Sequence, residues 1–256
     1  MLSVEFQAIY VMWLRQIKRF IRSRSRLIST VLQPLFFLFF LGSGFRNASF
    51  QGVDDYLSFL APGIIAMAIL FSSMFTGVSI LWDRKFGFLQ EVLVAPVSRF
   101  SIILGRTFGG ATMALIQGSI ILFISLALGI SISIDNIPLV IMFMVFTAFT
   151  AVGIGLVFAS RMEDFQGFQL IMNLFILPLL FLSSAFFPVT RDPTLRTIAM
   201  FNPLFYMVDG LRGSLLYGVE VGEEVVNTPF IDLLVVVLFC LVILGLGSYL
   251  FSKSEV

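Results

Sequence analysis

The chain has no histidine and one cysteine, Cys240, set in an apolar run. Those two absences exclude a His/Cys metal site, a histidine-based nucleophile relay and an intrachain disulfide. Lysine is nearly missing as well. There are three, Lys18, Lys85 and Lys253, and none follows a glycine. The loop that cradles nucleotide phosphates needs Gly-x-x-x-x-Gly-Lys-Ser/Thr, so the chain is no P-loop ATPase by itself. Paired carboxylates deep in an apolar run, the usual mark of ion coupling, are also lacking. No cleavable leader is expected, because the basic N-terminal stretch runs into a full-length apolar run, with Gly42-Ser43-Gly44 the nearest approach to a cleavage motif.

What is present is apolar. Of 256 residues 59% are hydrophobic and 12% charged, with a mean hydropathy of +1.03. Several runs reach the ~20 residues that a bilayer-crossing helix needs. Backbone groups cannot stay unpaired in hydrocarbon, and strict alternation is absent, so the runs are helices and not barrel strands. The expected fold is an all-α polytopic membrane protein. Six transmembrane helices are expected at about 27–44, 57–81, 107–130, 137–160, 168–187 and 230–251, within a transmembrane domain over 27–256.

Orientation follows from the basic residues. Arg15, Lys18, Arg19, Arg22, Arg24, Arg26, Arg84, Lys85, Arg99, Arg106, Arg161 and Lys253 fall on one side, against Arg46, Arg191, Arg196 and Arg212 on the other. Such a bias places both termini in the cytoplasm and the chain in the cell (plasma or inner) membrane. Acids lean the other way, with Asp54, Asp55, Asp135, Asp192, Asp209, Glu220, Glu223, Glu224 and Asp232 expected outside. A formal charge of +1 indicates no partner, and no nucleic acid is expected.

Two segments beyond the spans carry helical patterning. In residues 1–26, Phe6, Ile9, Tyr10, Trp13, Ile17 and Phe20 recur at three- and four-residue spacing, and Arg15, Lys18, Arg19, Arg22 and Arg26 mark another face. That pattern predicts an amphipathic helix in the headgroup layer of membrane lipid. It serves either as an anchor and topology signal or as a helix at the mouth of a pathway. The external segment 188–229 is cut by prolines and glycines into apolar pieces too short to span, expected as re-entrant helices before the last span.

Between the second and third spans lies a charged island over 83–98. Phe86, Leu89 and Leu93 give it an apolar face, while Asp83, Lys85, Gln90 and Glu91 are placed for polar contacts at the rim of a docking site. Inside the spans Gln33, Gln117 and Asn173 are the stronger polar groups, expected to bond between helices. Pro34 and Pro178 are expected to kink their helices. Gly105 with Gly109, and Gly153 with Gly155, permit close helix approach. Asn47-Ala48-Ser49 fits the glycosylation sequon.

Four fragments, in order and over nearly the whole chain, carry a resemblance. They are Tyr56-Leu57-Ser58-Phe59-Leu60-Ala61-Pro62-Gly63-Ile64, Leu89-Gln90-Glu91-Val92-Leu93-Val94-Ala95-Pro96-Val97-Ser98, Ser183-Ser184-Ala185-Phe186-Phe187-Pro188, and the run from Phe201-Asn202-Pro203 through Tyr206, Asp209, Gly210 and Arg212 to Gly213. With them the chain resembles the type-2 ATP-binding-cassette (ABC) exporter permeases. That family includes daunorubicin-type drug exporters and polysaccharide, O-antigen and teichoic-acid exporters. The chain departs from it at Gln90-Glu91, where two adjacent acids often stand.

The resemblance implies a half-permease that dimerises with itself or a related permease and binds a separate ABC ATPase. The segment Asp83, Arg84, Lys85, Phe86, Leu89, Gln90, Glu91 and Leu93 would be the coupling helix. The N-terminal helix, with Trp13, Arg15, Lys18, Arg19 and Arg22, would move with it as an interfacial gate. Asn202, Pro203, Tyr206, Gly210 and Arg212 match the family's external pattern. No catalytic residue or cofactor is expected in this chain; ATP and magnesium belong to the partner. The expected function is export of a drug-like or lipidic amphiphile. Lipid-linked polysaccharide is the alternative cargo, and an ATP-independent channel or a membrane enzyme is the alternative of another class.

Overall fold

The computed structural model describes residues 2–45, 55–130, 136–189, 192–216 and 225–253, apart from the side chains of Leu2, Ser3, Arg26, Leu89, Gln90, Leu93 and Ser252. Arg46, Arg191, the sequon 47–49 and the acids Asp54, Asp135, Glu220, Glu223 and Glu224 lie outside the described residues. The described residues form helices α1 (Leu2–Arg22), α2 (Arg24–Gly44), α3 (Tyr56–Lys85), α4 (Phe88–Val94), α5 (Arg99–Ala127), α6 (Ile137–Arg161), α7 (Phe165–Phe181), α8 (Pro193–Met200), α9 (Pro203–Leu215) and α10 (Pro229–Lys253). No strand occurs among them.

Helix α3 is the axis of the bundle. Asp55 caps it by accepting the N–H groups of Leu57 and Ser58, and an unbroken apolar run then carries it through 30 residues. At 1.5 Å per residue it is about 45 Å long. That exceeds the ~30 Å hydrocarbon core, so its ends reach beyond the apolar layer. It packs against α2, α5, α6 and α9, while α10 lies on α6 and α1 lies on α5. The main core gathers on α3 and α6, with Ile64, Ile65, Ile69, Phe143 and Leu156 buried.

Among the described residues, five helices are long and apolar enough to cross a membrane: 27–44 within α2, then α3, α5, α6 and α10. The segment expected as a span over 168–187 is the shorter α7, 17 residues long. Its end is set by Pro178 near its last turn and by Ser184, which takes φ +60° and turns the chain back. The turn brings Ala185 against Gly63 of α3, where a Cβ on Gly63 would lie 2.2 Å from the Ala185 carbonyl oxygen. The Tyr56 hydroxyl donates to the Phe186 carbonyl at 2.9 Å and pins the same turn.

Two other boundaries differ from expectation. The N-terminal helix ends at Arg22, so Arg24 and Arg26 start α2. The island 83–98 is not one helix. Asp83, Arg84 and Lys85 finish α3, Gly87 breaks the chain at φ +74°, and α4 holds seven residues. A side chain at Gly87 would strain that left-handed turn, and glycine relieves it.

Candidate functional site

At the end of the bundle that carries α1 and α4, three guanidiniums share one carboxylate. Asp83, in the last turn of α3, is 4% exposed. Arg15 of α1 donates to it through both amines, Nη1 to Oδ2 at 2.9 Å and Nη2 to Oδ1 at 2.8 Å. Arg19 adds Nη1 to Oδ1 at 3.1 Å, and Arg106 of α5 brings Nη2 to 2.9 Å from Oδ2. Arg106 is 1% exposed, and its Nε and Nη1 have no hydrogen-bond partner. A buried arginine cannot shed its charge, so Asp83 is what makes the Arg106 position tenable.

Helix α1 reaches this cluster because α5 lets it come close. A Cβ on Gly105 would lie 2.6 Å from the Ile9 carbonyl oxygen and the Met12 Cβ, and one on Gly109 would lie 2.6 Å from the Gln16 Cβ. Only glycine tolerates that approach, as the spacing predicts. Trp13 Nε1–H then donates to Thr112 Oγ1 at 3.1 Å, and Gln16 Nε2–H to Ser79 Oγ at 2.9 Å. At the start of α1, Glu5 accepts the Ser98 N–H at 3.0 Å and its hydroxyl at 2.9 Å. Hydrogen bonds from Ser101 and Ser98 hold the Glu5 carboxyl below the usual carboxylate range.

The basic face expected on α1 is therefore divided. Lys18 and Arg22 are exposed, whereas Arg15 and Arg19 turn toward Asp83. Met12, Gln16 and Phe20 form the buried side, and Phe6 and Tyr10 face outward.

Helix α4 hangs beside the cluster. Phe88 and Val92 pack with Met12 of α1, Ile102 of α5 and Val97. The Arg15 guanidinium carbon lies 3.6 Å from the Phe88 ring centroid, a cation–π contact. One side chain of α1 thus touches α4 with its face and α3 with its amines.

The docking residues expected from sequence fall in three groups. Asp83 sits inside the cluster, not at a rim, because Arg106 and α1 leave it the single nearby carboxylate. Arg84 donates to the Met162 carbonyl at 3.3 Å, away from α4. Phe86 is 71% exposed at the C-cap of α3, its ring 5.6 Å from Trp82. Lys85 and Glu91 are also exposed. The side chains of Leu89, Gln90 and Leu93 lie outside the described residues. Phe88 and Arg106 escaped the sequence reading. Arg106 had a readable signal, since an arginine inside an apolar helix calls for a carboxylate from elsewhere in the bundle.

The opposite end holds the other motif residues. Asn202 caps α9 by accepting the Leu204 N–H at 3.0 Å and donates Nδ2–H to the Leu179 carbonyl at 2.6 Å, with Pro203 in the first turn. The Tyr206 hydroxyl donates to the Met200 carbonyl at 2.9 Å. Gly210 faces Phe143, whose ring leaves no room for a Cβ. Arg212 is fully buried, with Nη2 donating to the Ser184 carbonyl at 2.7 Å and the Phe59 carbonyl at 3.2 Å. Asp209 accepts the N–H groups of Val226 and Asn227, and Asn227 Nδ2–H donates to Asp232. Of the expected amides, Gln117 donates to Thr30 across α5 and α2, while Gln33 and Asn173 are exposed.

No group of three or more metal-ligating side chains comes together among the described residues. The basic-end cluster ties α1, α3, α4 and α5 together through Arg15, Asp83, Phe88 and Arg106.

Residues 7–216, from α1 through α9, match the family model of the ABC-2 type transporter. Among curated proteins, the chain is 32% identical over 213 residues to the putative transport permease ycf38 of Cyanophora paradoxa, covering 80% of this chain and 73% of that one. It is 27% identical over 223 residues to the inner membrane transport permease YadH of Escherichia coli (strain K12), covering 84% and 86%. It is 28% identical over 197 residues to Nodulation protein J of Rhizobium leguminosarum bv. trifolii, covering 74% of each.

Proposed function

We propose that this chain, which belongs to the ABC-2 type transporter family and is an integral membrane transport permease, is the membrane half of an ATP-driven exporter. The observation that carries the reading is Arg15. It lies on Phe88 of α4 while gripping Asp83 of α3, and Asp83 in turn holds Arg106 of α5. A push on α4 therefore reaches two long helices through one side-chain relay. Such a relay needs something to push, and the chain carries no phosphate-binding loop of its own. A separate ATPase bearing ATP and magnesium would dock on α4, against exposed Phe86, Glu91 and Val94.

In this reading the basic end faces the cytoplasm, α7 is the sixth span, and α8 and α9 re-enter from the outer leaflet. Two copies, or this chain and a related permease, enclose the path. Phenylalanine-rich, histidine-free spans favour a drug-like or lipidic amphiphile over lipid-linked polysaccharide as cargo.

The test is co-purification with candidate ATPases in the wild type and in a Phe86→Ala, Glu91→Lys variant. Loss of a well-packed interface anchor costs about 2 kcal/mol or more, so ATPase affinity is expected to fall roughly thirtyfold or further. Unchanged assembly and unchanged transport-coupled ATP hydrolysis would sink the docking assignment. Drug accumulation measured beside surface-glycan loss in a deletion strain separates the two cargoes.

A further inference from the structure

A second basic feature lies apart from the Asp83 cluster, where α3, α6 and α10 end together. Their last turns enclose a cavity of about 610 Å³ lined by Arg84, Ser160, Arg161, Glu163, Tyr249 and Lys253, among others. That is within the usual range for a ligand site. Three cations face it against one acid, and none of the four is in an ion pair among the described residues.

Cations at helix C-termini offset the helix dipole, which accounts for Arg161 and Lys253 standing where they do. Arg84 also stands in a last turn, that of α3, but the dipole leaves part of its guanidinium without an acceptor. Its Nη1 reaches the Met162 carbonyl, while Nε and Nη2 are shut off from water without an acceptor. A charged group left so is costly, and an anion in the adjoining cavity offsets the charge.

The surface leading to the cavity identifies the anion's carrier. Leu238, Val242, Leu246, Tyr249 and Lys253 recur at three- and four-residue spacing along α10 and are all exposed. The stripe runs from apolar to aromatic to cationic, and the Lys253 ammonium lies 4.7 Å from the Tyr249 ring centroid. Aromatic residues mark the membrane–water boundary, and basic pockets between transmembrane helices take anionic headgroups.

We propose that this cavity binds the phosphate headgroup of an anionic phospholipid, with the acyl chains lying along the exposed stripe of α10. No described residue of α4 lines the cavity. A free phosphate would satisfy the cations but would leave the apolar stripe without a role.

Native mass spectrometry of the full chain, with phosphatidylglycerol, phosphatidylcholine or inorganic phosphate added, tests it. Phosphatidylglycerol is expected to stay bound and phosphatidylcholine to leave. Arg161→Gln and Lys253→Gln should each weaken phosphatidylglycerol retention roughly fivefold. Glu163→Gln, an exposed substitution that removes the only acid among the described lining residues, should strengthen it, which keeps the test decisive if an arginine variant fails to fold. Equal retention of the two lipids overturns the proposal, as does indifference to all three substitutions. Displacement of phosphatidylglycerol by inorganic phosphate alone would assign the cavity to a free anion and overturn the lipid assignment.

Discussion

The two ends of the bundle each bury an arginine deep among apolar helices, and they keep it there by opposite means. At the basic end Arg106 faces a side chain, Asp83, which Arg15 and Arg19 of another helix also hold. At the far end Arg212 faces backbone, the carbonyls of Ser184 and Phe59, with its guanidinium 3.9 Å from the Phe59 ring centroid. Side-chain partners can exchange as helices shift; backbone carbonyls move only with their segments. The basic end is thus held by side-chain charge and the far end chiefly by backbone carbonyls.

The comparison breaks first at Asp83. Asp83→Asn leaves Arg106 buried without a counter-charge, and losing one partner of a buried pair costs about 3–5 kcal/mol. Denaturation of the detergent-solubilised protein should show that loss. The double variant with Arg106→Gln should recover part of it, because the stranded charge is gone; a strictly additive cycle would mean that the two groups do not depend on each other.

Arg212 should behave differently. Hydrogen bonds to a charged group are worth about 1.5–3 kcal/mol each, so losing the two to carbonyls in Arg212→Met should destabilise by about 3 kcal/mol or more. Its acceptors include the Ser184 and Phe59 carbonyls and the Ser184 hydroxyl, so removal of a nearby acid should restore little of the loss. Rescue by Asp209→Asn would show that the far end, too, is held by charge.

The smallest effect concerns the start of α1. Glu5 is held below its ordinary pKa by Ser101 and Ser98. For a lowered carboxyl the stabilisation is present above the unfolded-state pKa and is lost as pH falls through the folded one. Protease access to α1 should therefore rise on acidification below the ordinary carboxylate range. Glu5→Gln should flatten that response and leave the Asp83 cluster intact. A response unchanged in Glu5→Gln would place the acid sensitivity elsewhere.

Much of this was legible in the chain itself. The long apolar runs became α2, α3, α5, α6 and α10, and the prolines and glycines of 188–229 did cut it into short helices. The Gly105–Gly109 spacing forecast the close approach of a helix, though not that its visitor would be α1. Asp83 was misjudged, because a charge between a span and a loop reads the same whether it faces water or protein. Its true partners stand 68, 64 and 23 positions away along the chain. Nothing local records such a pairing. The shortening of α7 was hidden for a related reason: Ser183-Ser184-Ala185 is apolar enough to continue a span, and the turn is favoured by distant partners, Gly63 against Ala185, Tyr56 on the Phe186 carbonyl and Arg212 on the Ser184 carbonyl.

Hydrophobic runs by themselves determined that this is a helical membrane protein, and the sequence alone shows that it has no histidine and no phosphate-binding loop. Those properties are sums over residues and survive without a fold. Which arginines meet Asp83, which stay exposed, and where α3, α6 and α10 leave a basic cavity depend on how the helices rotate and approach. Only packing in three dimensions decides that, because a buried charge takes whatever partner the neighbouring helix presents.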